Sequence, residues 1–150
     1  MRRWFALLLL AVWFGGFTFY ALVAVPTGHQ VLGSKVRQGF ITQRVTNKLN
    51  WLGGATLALL AWQTIAARRE GHSPSSFRTG AISWGILAST LVVLFWLHPH
   101  LEALLDPLNH SVVDDDKFYA LHRWYLIVAT VQWAAGLVHF GWLVGGRRSS

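Results

Sequence analysis

"LHRWYLIVATVQWAAGLVH", Leu121 to His139, decides the class of this protein. Arg123 is its only formal charge, and the rest is aliphatic, aromatic or small. A helix rises about 1.5 Å per residue and a bilayer's hydrocarbon core is about 30 Å thick. A run of this length and polarity is therefore a membrane-crossing helix. His122 and His139 bracket it, seventeen positions apart, or roughly 25 Å along a helix. They share a face but cannot share a ligand. Each is expected near a membrane surface, where water, headgroups or a loop satisfy its imidazole.

Three further apolar stretches precede it. Trp4 to Val25 ends at Pro26, Leu49 to Ala67 ends at Arg68 and Arg69, and about Thr79 to Leu97 ends at His98 and Pro99. The last stretch, taken whole, runs from about Phe118 to Val144. In lipid every backbone polar group must be satisfied within the protein, which selects helices. The expected fold is all-α: an integral membrane four-helix transmembrane bundle, one domain over residues 1–150, with spans at about 4–25, 49–67, 79–97 and 118–144. The first stretch follows Met1-Arg2-Arg3 as a signal peptide would. Its apolar run exceeds the roughly 7–15 residues of a signal core, and Gly15, Gly16 and Thr18 suit a packing helix. It is expected to be retained.

Composition agrees. The chain is 53% hydrophobic and 13% charged, which is wrong for a soluble domain of this size. Without cysteine there is no disulfide, thiolate metal site or thiol nucleophile. The net charge of +7 does not indicate nucleic acid, because the basic residues flank apolar segments instead of forming one stripe. They point to the lipid bilayer and its anionic headgroups. Four spans put both termini on one side, with Arg2, Arg3, Arg68, Arg69, Arg78, Arg147 and Arg148. The other side has Lys35, Arg37, Arg44, Lys48, Lys117 and Arg123. Seven against six is a narrow margin, and it selects cytoplasmic termini in a bacterial inner membrane.

Polar and small residues fall in two seams. Asn47, Asn50, Gly54, Leu57, Ala61 and Thr64 recur at steps of three and four in the second helix. His122, Tyr125, Ala129, Gln132, Gly136 and His139 do so in the fourth. Such seams face neighbouring helices, and their small residues let backbones approach. Gln132, near mid-membrane, needs a partner inside the protein. Upstream of the second helix, "VRQGFITQRVTNKLN" places Val36, Phe40, Val45 and Leu49 at near-helical spacing between basic residues. It reads as an interfacial amphipathic helix.

His29, His98, His100, His110 and His122 fall on the outer side, near Asp114, Asp115 and Asp116, while His72 and His139 are inner. Imidazole and carboxylate are transition-metal ligands, so His98, His100 and His122 form a candidate metal site, and His98 with His122 a candidate pair of haem b ligands. The competing reading is that interfacial histidines are hydrogen-bonding edge residues; no zinc-signature spacing is present. No Ser–His–Asp order, phosphate-binding glycine loop or intramembrane carboxylate appears. The chain is therefore not expected to be an enzyme or a proton-coupled carrier.

Three stretches also carry a family resemblance: "WFGGFTFYALVAVPTG", "QGFITQRVTNKLNWLG" and "FYALHRWYLIVATVQWAAGL". Together the chain resembles the transmembrane protein 205-like family of four-helix membrane proteins. The resemblance implies that fold and no reaction, and brings no catalytic residues. A eukaryotic member is associated with platinum-drug resistance, and its long soluble loop has no counterpart here. The expected function is a non-enzymatic membrane component that packs as a homo-oligomer or within a larger membrane complex, its nine Trp facing lipid or partner helices. The alternatives are a metal- or haem-binding membrane protein and an oligomeric small-molecule channel or exporter.

Overall fold

The computed structural model describes residues 2–69 and 74–145; His72, Arg147 and Arg148 lie outside them. Among the described residues the chain forms four helical rods. The first joins α1 (Arg2–Phe19), a π-helical turn (Tyr20–Ala24) and α2 (Val25–Leu32). The others are α3 (Lys35–Arg69), α4 (Pro74–Glu102) and α5 (Asp115–Gly145). Between α4 and α5 a small antiparallel hairpin pairs β1 (Leu105–Asp106) with β2 (Ser111–Val112). α1 packs on α3, α3 on α4, α4 on α5, and α5 back on α1, which closes the bundle.

Pro26 does not end the first helix. Proline lacks an N–H and its ring crowds the carbonyl four residues back. The wider π turn lies immediately before it and loosens that stretch of the hydrogen-bond ladder. Gly33 ends the rod instead: its φ of 59° is left-handed, and its N–H donates to the His29 carbonyl at 3.1 Å. Pro99 likewise sits inside α4, in its last turn, so α4 passes the expected stop at His98 and reaches Glu102.

The amphipathic segment before the second span is not a separate helix. It is the first half of α3, whose 35 residues extend about 50 Å. Three rods are long and apolar enough to cross a membrane: Arg3–Leu32, Ser75–Glu102 and Asp115–Gly145. α3, which holds the expected second span at 49–67, is not among them because Asn50, Thr56, Gln63 and Thr64 dilute its apolar half. All four are buried against the bundle.

The expected α5 seam is buried at Tyr125, Ala129, Gln132, Gly136 and His139, with Ala135 and Leu143 added, while His122 at its start is only half-buried. On α3 the expected seam is buried at Asn50, Leu57 and Thr64, but the ridge widens to one side, so Gly53 and Leu60 are buried where Gly54 and Ala61 are only half-buried. The widening follows from where rings dock. Trp13 lies on Gly53, where a Cβ would stand 2.5 Å from the indole. Trp142 lies on Gly80, where a Cβ would stand 2.6 Å away, and Phe14 occupies the space a Cβ on Gly136 would need. Each glycine is a socket for a ring from another helix.

Two apolar clusters fill the bundle. Leu10, Trp13, Leu57, Leu60, Leu87, Leu91 and Leu143 form the first. Leu94, Leu97, Leu101, Tyr125 and Ala129 form the second, toward the hairpin. Three indole N–H groups tie rods together: Trp84 to the Leu57 carbonyl (3.0 Å), Trp133 to Thr18 Oγ1 (3.1 Å) and Trp142 to Ser76 Oγ (3.1 Å). At the opposite end Arg3 donates to the carbonyls of Leu143 and Val144. A cation is favoured at the C-terminus of α5 by the helix dipole.

Candidate functional site

On α3, Phe40, Gln43, Arg44 and Asn47 recur at i, i+3, i+4 and i+7, which places them on one face. On α4, His98 and Glu102 stand four residues apart, also on one face. These two stripes and the hairpin's Leu105 and Pro107 line a cleft of about 270 Å³. A helix contact is ordinarily apolar along such stripes; here it offers a guanidinium, a carboxylate, an imidazole and two amides. His98 is only 8% exposed, whereas Arg44 and Glu102 reach solvent. Among the described residues none of these five polar side chains makes a hydrogen bond or ion pair.

The hairpin closes one side of the cleft. Asp106 Oδ1 accepts from the N–H groups of Leu108 (2.9 Å) and Asn109 (3.2 Å), and Oδ2 accepts from Asn109 Nδ2 (2.7 Å). These bonds to the carboxylate, the Asn109 amide first, hold its pKa below the usual value. His110 takes a positive φ of 49° to turn the chain, and its ring meets Phe40 edge-on at 5.9 Å.

The expected site residues are dispersed. His98 enters the cleft. His100 is exposed, with Nδ1 on the Trp96 carbonyl of its own helix at 2.7 Å. His122 is half-buried and stacked on Phe118 at 5.9 Å. Among the described residues no group of three or more His, Asp or Glu side chains is placed to hold a metal ion, so His98, His100 and His122 are not gathered into one. The acidic triplet beside them has a local use. Asp114 Oδ1 caps α5 by accepting the Lys117 N–H at 3.0 Å, and Asp115 and Asp116 fill the first turn, where negative charge is favoured.

His139 differs most from expectation. Its imidazole is satisfied neither by a loop nor by solvent: it is fully buried between helices, with Nδ1 2.8 Å from Ser83 Oγ. A second polar contact spans α3 and α5, where Asn50 Nδ2 donates to Tyr125 Oη at 3.3 Å. Sequence reasoning missed the cleft because Arg44 read as a lipid-facing cation and Asn47 as part of a packing seam. The i, i+3, i+4, i+7 polar stripe was the signal available.

The model of a family described as a domain of unknown function, DUF4149, matches residues 8–110. The chain belongs to this family. The DUF4149 match takes in every residue lining the cleft and stops before α5. No curated protein and no solved structure matches the chain.

Proposed function

We propose that this DUF4149 protein is a non-enzymatic integral membrane component whose four helices all cross the bilayer. One observation carries the reading: polarity is inverted relative to a water-soluble bundle. Leu22, Val31, Trp51, Val92, Trp96 and Trp124 are all more than half exposed, while Asn50, Thr56, Gln63, Ser83, Gln132 and His139 are buried. In water that outer surface would be a large apolar patch of the kind that marks a partner or a membrane; in lipid it is the solvated face. α3 crosses although its own composition is marginal, because Asn50, Thr56, Gln63 and Thr64 of its second half are buried in the bundle.

The same reading puts the termini in the cytoplasm of a bacterium, the protein in the inner membrane, and the hairpin with its cleft on the far side. Exposed apolar faces suit a second copy or a larger membrane complex as partner, and nucleic acid is not a partner. The resemblance to the transmembrane protein 205-like family supports the same arrangement. A metal site at His98, His100 and His122 forms no part of it, since the three side chains engage different neighbours.

Alkaline carbonate extraction of membranes from expressing cells tests membrane integration. The full chain should stay with the lipid pellet and be released only by detergent. Release into the carbonate supernatant would contradict integration.

A further inference from the structure

The cleft between α3, α4 and the hairpin is a polar site without an internal use. Its five polar side chains converge on about 270 Å³ and satisfy none of one another. That volume lies just below the roughly 300–1,000 Å³ of drug-sized ligand pockets, so the occupant is small. Both signs of charge are present, with Arg44 on α3 and Glu102 on α4. Gln43 and Asn47 share the Arg44 face of α3, and His98 lines the same cleft from α4; the two amides and the imidazole can donate to an anion. Phe40 lines the same cleft as Glu102, and the face of an aromatic ring attracts a cation. Leu105 and Pro107 supply an apolar wall for a short carbon linker.

We propose that this cleft binds a small zwitterion, an ammonium joined by a short linker to a phosphate or carboxylate. The anion meets Arg44 with the amides, and the ammonium meets Glu102 and Phe40. A simple anion would leave Glu102 repelling it, and a simple cation would face Arg44; only a ligand carrying both charges complements both stripes. The chemistry is common to a zwitterionic phospholipid headgroup and to a free soluble zwitterion. The proposal goes beyond membrane integration and fails independently of it, because carbonate extraction does not depend on the cleft.

Calorimetry on the full chain in detergent, with glycerophosphoethanolamine as probe, tests it. One equivalent should bind, roughly tenfold or more tighter than either glycerol 3-phosphate or ethanolamine. Arg44→Gln and Glu102→Gln should each weaken the zwitterion by about tenfold, whereas Arg37→Gln, outside the cleft on the same helix, should not. Circular dichroism of each variant confirms that it is folded. Native mass spectrometry from phosphatidylethanolamine nanodiscs separates the sources. A retained lipid lost in Glu102→Gln supports the headgroup form, and saturation by the soluble probe with no retained lipid supports the free form. Glycerol 3-phosphate binding as tightly as the zwitterion and more tightly in Glu102→Gln would overturn the proposal. So would binding of neither the probe nor the lipid to the wild-type protein.

Discussion

Ser83 Oγ and His139 Nδ1 meet at 2.8 Å across the α4–α5 contact, and His139 has no solvent exposure. Ser83 also lies 2.8 Å from the Thr79 carbonyl, the usual acceptor for a mid-helix serine. A hydroxyl has one proton, so if Ser83 gives it to Thr79, His139 donates from Nδ1 and its Nε2 is left as a bare acceptor. His139 Nε2 has no partner among the described residues, and neither does Gln132 Nε2, two turns away on the same face. The pair is interhelical glue at a depth where water does not compete.

A double-mutant cycle measures that glue. Ser83→Ala and His139→Ala should each destabilise the bundle, with a coupling energy of about 0.6–2 kcal/mol, the range of interhelical hydrogen bonds in membranes. Unfolding in mixed detergent micelles reads it, and strict additivity would remove the bond as a contributor.

Adjacent glycines on α3 separate the socket role from the small-residue role. A Cβ on Gly53 would collide with Trp13, while one on Gly54 meets nothing within 4 Å. Gly53→Ala should cost about 1–3 kcal/mol by overpacking. Gly54→Ala should be neutral or gain up to about 1 kcal/mol from helix propensity. The same logic makes Gly136→Leu, against Phe14, more harmful than Leu137→Ala on the outer face. Thermal melts in detergent rank the four variants, and equal losses would contradict the sockets.

The α5 seam was legible in sequence because helical periodicity alone selects its face, and Phe14 docks on Gly136 there. Two features were not. Pro26 and Pro99 read as helix ends because proline's local cost is visible in sequence. The π turn that accommodates Pro26, and the terminal position that makes Pro99 cheap, are set by the surrounding helix. His139 read as interfacial by depth, but its burial depends on Ser83 fifty-six positions away. The cleft needed the register between α3 and α4, and no spacing within one helix supplies that register.

Asp106 gives the hairpin a pH dependence. The Asn109 amide and the Asn109 and Leu108 N–H groups bind the carboxylate form and lower its pKa from 3.8. A depressed carboxyl contributes stability that is fully present above its unfolded value, about pH 4, and is lost as pH falls through the lower folded value. Amide exchange at Leu108 and Asn109 should stay slow down to about pH 4 and accelerate below it. Asp106→Asn should abolish that pH dependence. An acid-induced change that persists in Asp106→Asn would assign it elsewhere.

The central claim is that α3 crosses the membrane despite its polar side chains. The absence of cysteine lets single cysteines report position without background. Lys35→Cys and Arg68→Cys mark exposed positions near the two ends of α3. With a membrane-impermeant maleimide on intact cells, Lys35→Cys should be labelled at once and Arg68→Cys only after permeabilisation. Labelling of both positions from the same side would contradict the account and leave α3 outside the bilayer.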